Sequence, residues 1–154
     1  MRWTHARPYV LFTFVIVAVD QWSKLAAWQV DSSVGATRNP SYALGIVDGP
    51  AHMLAIGSLA TLAIFVTLVA RWALRLGVSP LIPGLVIGGM VGNILDRIVL
   101  GSVRDFLVTP WVICNVADLA IAGGLVAFLV AFGWRMQHLR GMTAATSLYA
   151  RTRS

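Results

Sequence analysis

The stretch Gly88–Phe106, GGMVGNILDRIVLGSVRDF, decides how this chain is read. It opens as an apolar segment suited to a bilayer, then gathers Asn93, Asp96, Arg97, Arg104 and Asp105. Asn93, Asp96 and Arg97 are spaced i, i+3 and i+4, which places them on one face of a helix. Gly88 and Gly92 form a small-xxx-small pair that lets another helix approach closely. An ionisable group at the bilayer centre costs about 2.5–3.5 kcal/mol on insertion scales, so such a group is a functional signal by default.

The whole chain has the same character. It has 154 residues, of which 58% are hydrophobic and 12% charged. A soluble domain carries about 25% charged residues. The reading is a single-domain polytopic membrane protein. The net charge of +6 comes from eleven Arg and one Lys against six Asp, with no Glu. Most of the basic residues cluster at ends and loops, where membrane orientation places them, so a nucleic-acid partner is not expected. Cys114 is the only cysteine, which rules out an internal disulfide and a thiolate metal site.

Four segments can cross a hydrocarbon core of about 30 Å, which takes about 20 helical residues. They run roughly over 8–28, 52–70, 81–100 and 112–134, with breaks marked by NPSYALGIVDGP, RWALRLGVSP and GSVRDFLVTP. The first resembles a signal peptide in its Arg2 and Arg7, but its length and its interruption by DQWSK favour a retained helix. The expected fold is all-α, with four transmembrane helices and a small extracytoplasmic loop region over the site. Residues 1–140 form the domain and 141–154 a polar, mobile cytoplasmic tail.

Arginine sets the orientation. With four spans, both termini and the second loop share one side, and that side carries Arg2, Arg7, Arg71, Arg75, Arg135, Arg140, Arg151 and Arg153. Arg38, Arg97 and Arg104 lie on the other side, with Lys24 near a helix end. The bias puts both termini in the cytoplasm. Asp20, Asp96, Asp105 and Asp118, from separate segments, then converge at one outward depth.

Each polar residue also has a plain structural reading. Asp20 and Lys24, at i and i+4, read as a structural ion pair. Arg97 can pin an outer-loop carbonyl while Asp96 anchors a helix end. Asn39 can start the turn at Pro40. Asn115 and Asp118 stand at i and i+3. His5, His52 and His138 show no ligand spacing, Cys114 reads as an apolar filler, and no serine has a base beside it. Asp105 and Asp118, if close, would share one proton and could hydrolyse an amide without a covalent intermediate. The rival readings are a non-catalytic membrane binding or scaffold protein and a small proton or ion carrier.

Taken in order, the motifs resemble the lipoprotein signal peptidase (signal peptidase II) family. DQWSK, Asp20–Lys24, matches that family's first-helix motif; NPSYALG, Asn39–Gly45, matches its outer loop in part. GGMVGNILDR, VRDF and CNVAD complete the series, the last except at its first residue. The resemblance implies an aspartic endopeptidase of the bacterial plasma membrane. It would cut a prolipoprotein before its diacylglyceryl-modified cysteine, amid membrane lipids and with an extracytoplasmic active site. The catalytic pair would be Asp105 and Asp118. Supporting or substrate-binding residues would be Asp20, Lys24, Asn39, Asn93, Asp96, Arg97 and Asn115. No metal or other cofactor is implied, and globomycin-like cyclic peptides would inhibit.

The chain departs from the family pattern at three residues. Ser41 and Leu44 stand where glycine and an aromatic are usual, and Cys114 replaces phenylalanine. The connection from Asp105 to Asp118 is also short, which would leave less cover over the cleft. These changes bear on substrate preference and rate more than on the reaction.

Overall fold

The computed structural model describes residues 7–29, 36–42 and 47–151. Helix α1 spans Arg7–Gln29 and is followed by the short strand β1, Thr37–Asn39. Helix α2, Ala51–Ile64, runs through one π-helical stretch, Phe65–Ala70, into α3, Arg71–Leu76. Helix α4 is Leu81–Leu100. Strands β2 (Val103–Asp105), β3 (Leu107–Val108) and β4 (Ile113–Cys114) lead to α5, Val116–Arg151. Four helical segments are long and apolar enough to cross a membrane, so the chain is a multi-pass membrane protein.

Helix α4 is the hub, packed between α1 and α5 with a smaller contact to α2. Its glycines explain the closeness. Gly88 lies against Ile16 of α1, and a Cβ there would come within 2.7 Å of the Ile16 Cβ. Gly92 faces the Asp20 carboxylate with no space for a side chain. The helices turn their large apolar residues outward: Phe14 and Trp22 on α1, Leu129 and Trp134 on α5 are all exposed. Lipid is as good a solvent for these groups as a protein core, so the buried interior is freed for small and polar residues.

Gly101 ends α4. Its φ of 72° is left-handed, and its N–H donates to the Arg97 carbonyl at 3.1 Å. The turn sends the chain directly into β2, which pairs antiparallel with β1 so that Thr37 faces Asp105 and Asn39 faces Val103. Strands β3 and β4 form a second antiparallel pair, Leu107 opposite Cys114. The Thr109 N–H closes the hairpin on the Val112 carbonyl at 3.0 Å.

The four expected spans are present, with two corrections to their bounds. The fourth helix starts at Val116, not near Val112, because Ile113–Cys114 belong to the β3–β4 hairpin and Asn115 precedes the first helical turn. The second span starts at Ala51 and continues helically past Ala70, through α3 to Leu76. Helix α5 itself continues through residues 141–151 to Arg151. Met142, Ala144, Ala145, Leu148 and Ala150 are strong helix formers, and their propensity outweighs the polar residues between them.

Candidate active site

Asp118 is placed by local chemistry. Asn115 precedes α5, and its Oδ1 accepts from the Asp118 N–H at 3.0 Å. In return Asp118 Oδ2 accepts from the Asn115 N–H at 3.1 Å. This reciprocal pair is a capping box built from Asn and Asp, so the segment NVAD fixes both the helix start and the carboxylate. A second donor, Asn93 Nδ2 on α4, reaches Asp118 Oδ1 at 2.8 Å.

Asp105 ends β2 and is almost fully buried. Asn115 Nδ2 donates to its Oδ1 at 2.6 Å and Asn39 Nδ2 donates to its Oδ2 at 2.9 Å. Burial holds this carboxyl above the usual carboxylate range, and the negative charge of Asp118 adds to the effect. The bonds from Asn39 and Asn115 oppose it. Asn115 therefore touches both acids, one by its side-chain amide and the other by its backbone N–H.

Behind these acids lies a charged cluster. Lys24 Nζ sits 2.8 Å from Asp20 Oδ2 and 3.4 Å from Asp96 Oδ2, and it donates to Asn93 Oδ1 at 3.0 Å. Asp20 Oδ1 accepts from the Ala117 N–H at 2.9 Å, so α1 caps the start of α5. Asp20 and Lys24 are both wholly buried. The expected Asp20–Lys24 ion pair is therefore present, and it also supports the Asn93 amide that holds Asp118.

Arg97 governs the outer loop. Its Nη2 donates to the Ser41 carbonyl at 3.0 Å, and its guanidinium lies 5.1 Å from the Tyr42 ring centre. Tyr42 in turn donates to Thr61 Oγ1 on α2 at 3.1 Å. Asn39 performs both of its readings: its Oδ1 accepts from the Ser41 N–H at 2.9 Å to form the turn, while its amide serves Asp105. The Ser41 hydroxyl donates to Asp48 across the loop. Leu44 lies outside the described residues.

These parts enclose a cavity of about 430 Å³. Asn39, Asn93, Arg97, Asp105 and Asp118 line its polar end, and Phe65, Val86, Met90, Ile121 and Leu125 line the remainder. A site of this kind can hold an apolar segment with one polar bond presented to two carboxyls. Cys114 is buried, and burial pushes its thiol up, away from nucleophilic use.

All nine residues singled out from the sequence meet in this one region. Three more belong to it: Gln21, Tyr42 and Arg104. Gln21 Nε2 lies 3.1 Å from both Asp20 Oδ2 and the Gly92 carbonyl, and 3.3 Å from Asp96 Oδ1. The sequence carried a signal for Gln21, an uncharged polar residue at membrane depth beside Asp20. Tyr42 stood inside the outer-loop motif without a partner to name.

A multi-pass helical protein with paired acids at the mouth of an apolar cavity is the class that fold and site define. A family model described as Signal peptidase (SPase) II matches residues 12–134. A lipoprotein signal peptidase of Xanthomonas euvesicatoria pv. vesicatoria (strain 85-10) is 32% identical over 148 residues, covering 79% of this chain and 83% of its own. One from Anoxybacillus flavithermus (strain DSM 21510 / WK1) is 27% identical, covering 91% and 93%. The fold is shared with a bacterial membrane enzyme solved by the in meso method at 2.3 Å, with a TM-score of 0.66 and 23% identity over 84% of this chain and 90% of that one. The chain belongs to the signal peptidase II family.

Proposed function

We propose that this member of the family is an aspartic endopeptidase that removes signal peptides from prolipoproteins, cutting before the diacylglyceryl-modified cysteine. The observation that carries the reading is Asn115, which binds Asp105 and Asp118 together at the polar end of the cavity. Asp105 and Asp118 are the catalytic pair; Asp20, Lys24, Asn39, Asn93, Asp96, Arg97 and Asn115 are its support.

Charge favours one proton on the pair. Asp20, Asp96, Asp105 and Asp118 face Lys24, Arg97 and Arg104 in a nearly dry setting. Four acids against three cations are neutral when the pair holds a single proton, the state a low dielectric prefers. The ionised carboxylate takes a proton from water, and the water oxygen attacks the scissile carbonyl carbon. The neutral carboxyl gives its proton to the carbonyl oxygen. The tetrahedral intermediate collapses as the C–N bond breaks: the carboxyl that took the water's proton gives it to the leaving amine, one hydroxyl of the intermediate returns its proton to the other carboxylate, and the new carboxyl is released.

The arginine bias supports cytoplasmic termini, and hence a site on the extracytoplasmic face of a bacterial plasma membrane. Membrane lipids would flank the cavity, and a globomycin-like cyclic peptide would compete for its polar mouth. The test is to incubate the purified chain with lipidated and unlipidated forms of one prolipoprotein and weigh the products. Cleavage of the lipidated form alone, at the bond before the modified cysteine, is expected. No cleavage of several lipidated substrates by folded protein would overturn the reading.

A further inference from the structure

Arg104 is absent from the cavity lining, yet it donates four hydrogen bonds to groups beside the site. Its Nη2 donates to Asp96 Oδ1 at 2.7 Å and to Gln21 Oε1 at 2.8 Å. Its Nε and its backbone N–H both donate to Asp96 Oδ2, at 3.2 and 3.0 Å. One residue of β2 is thus fixed by main chain and side chain together to α4, and through Gln21 to α1. Asp105 is the next residue of that strand.

We propose that Arg104 is a positioning residue for the peptidase reaction, holding Asp105 through the strand and Asp118 through the charged cluster; the inference rests on the aspartic reading above. The first route is direct. The backbone N–H bond to Asp96 alone would leave the strand free to roll. The side chain's Nε and Nη2 bonds to Asp96 and Gln21 add to it, and together they set the direction of the Asp105 side chain. The second route passes through Lys24. Asp96 Oδ2 lies 3.4 Å from Lys24 Nζ, whereas Lys24 lies closer to Asp20 Oδ2 and Asn93 Oδ1. The guanidinium fork of Arg104 satisfies Asp96, leaving Lys24 to hold the Asn93 oxygen, whose amide nitrogen serves Asp118. Without Arg104, the buried Asp96 carboxylate has Lys24 as its one remaining cation among the described residues. Lys24 then moves toward Asp96 and frees the Asn93 amide to turn.

Arg104→Met and Arg104→Lys test this in steady-state cleavage of a lipidated prolipoprotein in detergent, with thermal unfolding of each protein run alongside. Since no cavity contact is lost, KM should stay within about twofold, while displaced acids lower kcat on the order of 10²-fold in Arg104→Met. Lysine restores the charge without the fork that spans Asp96 and Gln21, so Arg104→Lys should fall between parent and Arg104→Met in kcat. A folded Arg104→Met with parental kcat, or one whose KM rises at constant kcat, overturns the inference. Should Arg104→Met fail to fold, Arg104→Lys decides: parental kcat overturns the inference, and reduced kcat at unchanged KM supports it. A parent that cleaves nothing overturns the peptidase reading and this inference with it; an active parent beside an equally active Arg104→Met overturns this inference alone.

Discussion

Two pairs of aspartates meet in one polar region and are treated in opposite ways. Asp20 and Asp96 each face a cation at 2.7–2.8 Å, Lys24 for the first and Arg104 for the second. Asp105 and Asp118 have no salt bridge among the described residues; their oxygens accept only from amides of Asn39, Asn93 and Asn115. A buried acid beside a cation has its charge compensated and its geometry locked. Asp105, buried with only neutral donors, is pushed toward keeping a proton that it can exchange. The difference supports the proposal that the first pair is structural and the second carries the chemistry.

The contrast can be broken most severely at Lys24. Lys24→Met leaves Asp20 buried with no salt-bridge partner among the described residues, and removing one partner of a buried pair costs about 3–5 kcal/mol. Thermal unfolding in detergent should show a large drop or a failure to accumulate folded protein. A parental melting temperature would mean that the first pair is not structural.

At Asp105 the effect on stability is smaller and depends on pH. Its carboxyl is raised in the folded state, so the folded chain binds that proton more tightly than the unfolded chain. The stability from this site is fully present below the unfolded carboxylate range and is lost as pH rises through the folded value. Melting temperatures of parent and Asp105→Asn, compared from about pH 4 to about pH 8, should therefore shift in favour of the variant as pH rises. A difference that stays constant would remove the argument for a retained proton.

The smallest effect is expected at Asn39. Its amide lowers the Asp105 value, so Asn39→Ala should move the pH profile of kcat/KM upward while the protein remains folded. An unmoved profile would show that the outer loop does not tune the pair.

The helices were legible in the sequence because each needs only length and apolarity. The i, i+3, i+4 spacing of Asn93, Asp96 and Arg97 revealed a shared face, and the structure brings that face to Asp20 and Asp118 through Lys24 and the Asn93 amide. The strands were not legible, since two or three residues give no period, and the run Val112–Cys114 joins the apolar sequence of α5 without a break. Arg104 stood out as a charge in the sequence, but its partner was hidden for a related reason. It meets Asp96 eight residues away, and only the left-handed turn at Gly101 folds the chain back to make that contact.

The most direct measurement is the turnover of four variants, Asp20→Asn, Asp96→Asn, Asp105→Asn and Asp118→Asn, on a lipidated prolipoprotein at matched folded fraction. The catalytic role of the Asp105–Asp118 pair predicts that Asp105→Asn and Asp118→Asn lose on the order of 10³-fold or more in kcat while still folded, the size expected for a missing acid or base. Asp20→Asn and Asp96→Asn should lose stability first and keep measurable turnover in the fraction that folds. Turnover surviving in folded Asp105→Asn or Asp118→Asn would contradict that role.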